Sequence, residues 1–308
     1  MVQYSNFSTD YKLSKGRIFE ENEDPNRTCF MRDRDRIIHS SAFRRLKYKT
    51  QVFVHHEEDY FRTRLSHSLE VSQLSRSISK VFNINDDLTE SISLSHDLGH
   101  TPFGHAGEEV LNKKMKGKGG FNHNYQALKI LTVLEKKYFD FDGLNLTFET
   151  LDGILKHNGP ITSVLPSYIQ SFIDYFDGKI NSQGSFEAQV AAICDDIAYN
   201  NNDIDDGLYA GLFEIDELNE LEIIKDAFEK INLNKSKEYR RIKHELIRKL
   251  INIMVDDLIS NTKQNLQNFK IKNCCEILEL DKPLVIFGDE MKNKEKNLKV
   301  FLKNKMYN

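Results

Sequence analysis

Ten histidines occur in the chain, and five of them (His67, His96, His100, His105 and His123) fall in one stretch where Asp, Glu and Gly are their neighbours. His67 shares a helical face with Val71, Leu74 and Ile78, at i, i+4, i+7 and i+11. His96 follows Leu88 and Ile92 on another such face. A single histidine in that setting is ordinarily a satisfied core residue. Asp97 changes the reading, because a carboxylate beside a histidine at the buried end of an apolar helix is costly unless it is paired or bound to metal. A third segment places Ala188, Ala191, Ala192 and Asp195 at i, i+3, i+4 and i+7. Its small residues allow close approach to neighbouring helices and carry Asp195 inward, with Tyr199 one turn later. His67, His96, Asp97 and Asp195 together make a nitrogen and oxygen donor set. Such a set suits a borderline or hard divalent ion with positions left open for water and substrate.

These donors need helices to position them. From Arg64 the pattern is helical, with Leu65, Leu69, Leu74, Ile78 and Val81 as its apolar positions, and a second helical stretch through Leu88, Ile92 and His96 stops at Gly99. Before it, residues 1–30 read as an irregular arm and residues 34–47 as a short helix. Thr50–Val54 and Asp59–Thr63 flank the polar turn His55–Glu58, which predicts a small β-hairpin near residues 50–63. After it, a loop with Pro102, Gly104 and Gly107 leads to a short helix at Glu108–Met115 and a mobile loop at Lys116–Gly120. Helical spacing recurs near 124–138, 147–157, 166–176, 185–200, 218–231, 236–264 and 289–306, with Gly159-Pro160 as a stop and Pro283–Phe287 as a candidate strand. The pattern is that of one mostly helical domain over 1–308, with no internal repeat and no dividing linker.

Composition narrows the class. At 308 residues, with 39% hydrophobic and 29% charged residues, the chain can build a core without disulfides. Collagen-like, disordered and disulfide-framework proteins are excluded. The four cysteines form no CxxC pair and read as reduced thiols. No apolar run approaches the length of a membrane span, and the N-terminus shows no leader pattern, so a cytoplasmic location without membrane partners is expected. The net charge of −4 gives no global reason to bind nucleic acid.

The order His67, His96-Asp97, Asp195 resembles that of HD-domain phosphohydrolases. The blocks Arg32–Leu46, Lys49–Phe53, Arg62–Val71, His96–Glu108 and Ala198–Asp206 are similar to those of the deoxyguanosine triphosphate triphosphohydrolase (dGTPase-like) family, over about residues 15–305. The resemblance implies an all-α HD-domain fold with a core near 60–206 and a C-terminal helical region, 207–308, shorter than in most members. It implies hydrolysis of a deoxynucleoside triphosphate (dNTP) to the deoxynucleoside and inorganic triphosphate. The divalent metal would be Mg²⁺ or Mn²⁺, with Fe²⁺ as a third option, at His67, His96, Asp97 and Asp195. His105 and His123 become the proton donors, with Glu108 tuning His105 and His100 a weaker candidate. Arg64 resembles a triphosphate contact. Gln51 and Asp203 match positions that bond the sugar 3′-hydroxyl, and Tyr199 one that selects deoxyribose. The Arg32–Arg36 charge run is either a solvated face of i,i+4 pairs or a support for the site or a subunit interface. A homo-oligomer, activation by dNTPs and single-stranded DNA binding are the partner properties the family carries. Two departures stand out: Asn122 replaces an acid common before His123, and Asn202 a common histidine. The alternatives are an HD phosphohydrolase acting on another nucleotide, or a catalytically weak nucleotide-sensing or DNA-binding relative.

Overall fold

A computed structural model describes residues 4–53, 60–162, 165–232 and 238–307. It divides into two compact units: residues 1–195 with 270–284, and residues 196–269 with 285–308. The chain crosses between them three times, once inside a helix, between Asp195 and Asp196.

In the first unit, helices α1 (Cys29–Ile38), α2 (Ser41–Arg45), α3 (Arg64–Phe82), α4 (Asp86–Ser95), α5 (Gly104–Lys114), α6 (His123–Lys129), α7 (Phe148–Leu155) and α8 (Ser167–Tyr175) precede α9 (Phe186–Tyr209), which runs on into the second unit. Local chemistry sets their starts. Thr28, Ser40, Asn85 and Asn122 cap α1, α2, α4 and α6 through side-chain oxygens that accept backbone N–H groups. Asp86 and Asp87 in the first turn of α4 complement its dipole. Phe30, Ile37, Leu88, Ile92, Leu128, Leu151 and Ile154 are among the fully buried side chains of this unit's core.

The tightest packing joins α3 to α4, and it is not the face that apolar spacing alone predicts. Leu69 and Val81 are exposed, whereas Ser68, Ser72, Ser75 and Ser79 are buried with Val71, Leu74 and Ile78. The facing surface of α4 carries buried Thr89 and Ser93. Ser79 Oγ donates to Thr89 Oγ1 at 2.9 Å, and Ser93 Oγ lies 3.0 Å from Ser75 Oγ. Hydroxyls this small let the backbones approach, and each can turn to a carbonyl one turn back, as Ser75 does to Val71 and Ser93 to Thr89.

Other expectations need correction. The predicted hairpin is reduced, among the described residues, to one antiparallel bridge between Thr50 and Thr63, with the Phe53 and Phe61 rings stacked 4.6 Å apart. Residues 54–59, with the predicted turn, lie outside the described residues. Residues 283–287 form no strand. The Leu284 N–H goes to the Gln189 side chain at 2.7 Å, so the apolar run fills core space instead of pairing. The charge run on α1 is not solvated: Asp33 and Arg36 are buried. Asp33 accepts from Arg17, Thr147 and Thr150, and Arg36 binds the carbonyls of Leu144 and Asn145, so the run ties the N-terminal arm to the core.

The second unit contains the rest of α9, α10 (Ile215–Leu218), α11 (Glu222–Glu229), α12 (Tyr239–Asn268) and α14 (Asp289–Met306); α13 (Cys274–Leu278) belongs to the first. No helix among the described residues is long and apolar enough to cross a membrane.

Candidate active site

His67 stands in the first turn of α3, His96 and Asp97 directly follow α4, and Asp195 lies on α9. The α3–α4 packing sets the distance between the first two, whose rings meet edge to face at 5.5 Å. His67, His96 and Asp97, all buried, offer ligand atoms within 4.8 Å of one another. Asp195 completes the group: its Oδ1 is 2.8 Å from His67 Nε2 and 3.5 Å from His96 Nε2.

The donor chemistry fits a divalent cation. His96 Nδ1 lies 2.6 Å from the Ser93 carbonyl, which can only accept, so Nδ1 carries a proton and Nε2 faces the carboxylates. Nε2 has no hydrogen-bond partner among the described residues. Burial works against charge on His96, but Asp97 and Asp195 outweigh it and push its pKa up to about 9. The carboxylates thus demand positive charge at this spot, and a divalent cation supplies it while releasing the proton. Burial also disfavours charge on Asp97, yet the Arg64 guanidinium, 2.8 and 2.9 Å from its two oxygens, holds it well below the usual carboxylate range. Arg64 therefore faces a candidate metal-ligand acid, and its Nε has no partner among the described residues.

One member of the cluster is absent from the sequence-based candidates. His157, just past α7, places Nε2 3.1 Å from Asp195 Oδ2 and stacks on the His96 ring at 5.2 Å. Its only sequence signal is a histidine at the end of an apolar helix before Gly159-Pro160.

Beside the cluster lies a second group. His123 opens α6, and its Nδ1 is 2.9 Å from both oxygens of Glu108, which also accepts the His123 N–H at 2.9 Å. Glu108 thus bonds His123 rather than His105, the partner expected from the sequence. It supplies the acid that Asn122 does not, while Asn122 caps α6. Burial disfavours the Glu108 carboxylate, but the His123 hydrogen bonds lower its pKa. His100 joins the two groups: its ring stacks on His123 at 4.3 Å, and its Nε2 is 3.6 Å from Asp97 Oδ1. Burial pushes the His100 pKa down to about 2. The His105 ring is 5.3 Å from that of His100, and burial followed by Arg64 lowers its pKa.

Two features fix the loop between the groups. Gly99 has no room for a side chain, since a Cβ there would meet the His123 carbonyl at 1.9 Å, so glycine lets α6 close on the His96–His100 segment. Lys49 donates to the carbonyls of Leu98 and His100 at 3.1 and 2.7 Å. Burial brings its pKa down to about 8.

Gln51 is buried in this first unit, and its Oε1 has no hydrogen-bond partner among the described residues. Tyr199 and Asp203 belong to the second unit, where Tyr307 connects them. The Tyr307 hydroxyl donates to Asp203 Oδ2 at 2.7 Å and lies 2.6 Å from the Tyr199 hydroxyl.

Comparisons with known proteins identify the family. A model of the HD domain family matches residues 64–200. A deoxyguanosinetriphosphate triphosphohydrolase-like protein of Parvibaculum lavamentivorans (strain DS-1) is 50% identical over 308 residues, covering 98% of this chain and 78% of its own length. A protein of the same name from Pelagibacter ubique (strain HTCC1062) is 51% identical over 311 residues, covering 100% and 83%. One from Roseobacter denitrificans (strain ATCC 33942) is 47% identical over 302 residues, covering 98% and 78%. With likeness of this extent joined to an HD-type ligand cluster on an all-α scaffold, the chain belongs to the deoxyguanosinetriphosphate triphosphohydrolase-like family of HD-domain proteins.

Proposed function

We propose that the chain hydrolyses a deoxynucleoside triphosphate to the deoxynucleoside and inorganic triphosphate. What carries the reading is the Glu108–His123 pair standing beside the His67, His96 and Asp97 donors, with His100 in contact with both. His67, His96, Asp97 and Asp195 would hold a divalent cation such as Mn²⁺ or Mg²⁺. When bound, such an ion polarises a phosphoryl oxygen and lowers the pKa of a coordinated water.

The protein's own residues account for the rest. The triphosphate brings about four negative charges, and Arg64 offers a fixed positive charge beside the ligands. Water adds to the α-phosphorus, the bond from phosphorus to the 5′-oxygen breaks, and that oxygen takes a proton as it leaves. Glu108 occupies His123 Nδ1, which leaves Nε2 as the atom that delivers the proton. Burial and Arg64 lower the pKa of His105, which favours its neutral, proton-accepting form over the donating role that the resemblance implies. Tyr199 is assigned to excluding a ribose 2′-hydroxyl on the strength of the family blocks. Gln51 and Asp203 are each assigned to the 3′-hydroxyl on the strength of the family blocks.

The test is product identity. Each dNTP is incubated with the purified protein and Mn²⁺, and the phosphorus products are resolved by ³¹P NMR. Triphosphate with the free deoxynucleoside is expected. Release of pyrophosphate or monophosphate would point to an HD phosphohydrolase of another specificity and reject the proposal.

A further inference from the structure

We infer that His157 is a positioning residue for the metal site: it holds the outer oxygen of Asp195 so that the inner one faces His67 and His96. The Asp195 carboxylate is bonded on both sides, with Oδ1 2.8 Å from His67 Nε2 and Oδ2 3.1 Å from His157 Nε2. Without the second contact the carboxylate could rotate about its own bond and carry Oδ1 away from His96. An ionised carboxylate oxygen only accepts, so the His157 nitrogen facing it is the one that carries hydrogen. The other nitrogen, Nδ1, is buried with no hydrogen-bond partner among the described residues. Among the described residues, the one side-chain hydrogen bond of His157 therefore goes to a candidate ligand.

The backbone is arranged to deliver it. Helix α7 lies close against α4 at Gly153, where a Cβ would lie 2.4 Å from Ile92 Cδ1. Four residues beyond Gly153 is His157, and four beyond Ile92 is His96. The two imidazoles stack there at 5.2 Å with 20° between their planes. The same close approach thus aligns His157 with both His96 and Asp195. The chain turns directly afterwards, at Gly159 with φ +91°, so His157 is anchored by the helix on one side and a tight turn on the other.

The inference rests on the metal-site reading above, and the experiment separates the two. Mn²⁺ binding to the nucleotide-free protein is measured by the EPR signal of the free ion, for the wild type, Asp195→Ala, His157→Asn and His157→Gln. Glutamine can place an amide N–H near the position of His157 Nε2, while asparagine is too short to reach. Thermal melts of the metal-free variants report folding independently. The expected result is a loss of affinity of about 10–100-fold in His157→Asn and recovery to within about threefold of wild type in His157→Gln. Equal weakening in both variants would overturn the inference, because the contact to Asp195 would then not be what matters. Wild-type affinity in His157→Asn would overturn it as well. In either case, weak binding by Asp195→Ala leaves the metal-site reading intact. Full affinity in Asp195→Ala, or no binding by the wild type, would overturn that reading and this inference with it.

Discussion

Asp97 and Glu108 are both carboxylates with basic partners, but they sit in contrasting surroundings. Asp97 is buried, with the Arg64 guanidinium across both of its oxygens and three imidazoles around it. Glu108 lies half-buried on α5, with His123 as its hydrogen-bond partner. The first is fixed by the close packing of α3 on α4, the second by one side chain reaching across a loop. An ion needs several donors held at fixed distances whether or not it is present. A proton donor needs a set tautomer and access to the leaving oxygen. On the proposed function, the first region binds the ion and the second transfers the proton, and substitutions on each side can break that assignment.

The largest effect is expected from Asp97→Asn. It removes a ligand and leaves Arg64 without its buried counter-charge, and breaking a buried pair in this way costs about 3–5 kcal/mol. Mn²⁺ binding and turnover should both disappear, and a denaturant titration of the metal-free protein should show the lost stability. Retained Mn²⁺ affinity would show that the cluster is only a buried ion network. Glu108→Gln should behave differently. Its kcat should fall about 10²–10⁴-fold while Mn²⁺ affinity in the nucleotide-free protein stays within error of wild type. A matching loss of Mn²⁺ affinity would merge the two regions into one and remove the proton-transfer role.

The two regions are also unequally legible in the sequence. His67, His96, Asp97 and Asp195 can be found because each ends or interrupts an apolar helical face, and burial of a polar group there needs a reason. His157 fits the same description, but nothing in its spacing links it to Asp195, since that contact depends on how α7 crosses α4 at Gly153. The Glu108–His123 pair joins residues separated by a glycine-rich loop, where periodicity carries no information, and the family resemblance attaches the acid to the nearer His105. Helix locations are readable almost throughout, and α14 appears with the expected bounds. The strand at 283–287 is over-read, because a short apolar run looks the same whether it pairs as a strand or plugs a core. Hydrophobic spacing also misplaces the inner face of α3. Its buried serines count as polar in any such pattern, yet here small size matters more than polarity.

That serine seam gives the smallest and most specific prediction. Ser93 is fully buried on α4, its hydroxyl 3.0 Å from Ser75 on α3, and its carbonyl holds His96 Nδ1. Ser93→Ala removes the hydroxyl without adding volume. Ser75 keeps its bond to the Val71 carbonyl, so the cost should be no more than about 1 kcal/mol. Ser93→Val adds branched bulk where the helices already touch, and overpacking of this kind costs about 1–3 kcal/mol. If the seam sets the spacing of the ligands, valine should also weaken Mn²⁺ binding while alanine leaves it unchanged, because pushing α3 from α4 moves His67 away from His96. The Glu108–His123 pair lies on other elements, so the kcat of Ser93→Val at saturating Mn²⁺ should stay close to that of Ser93→Ala. A fall in kcat with unchanged Mn²⁺ affinity would reverse the assignment, making the helix seam a support for proton transfer and leaving the ligand spacing to some other contact.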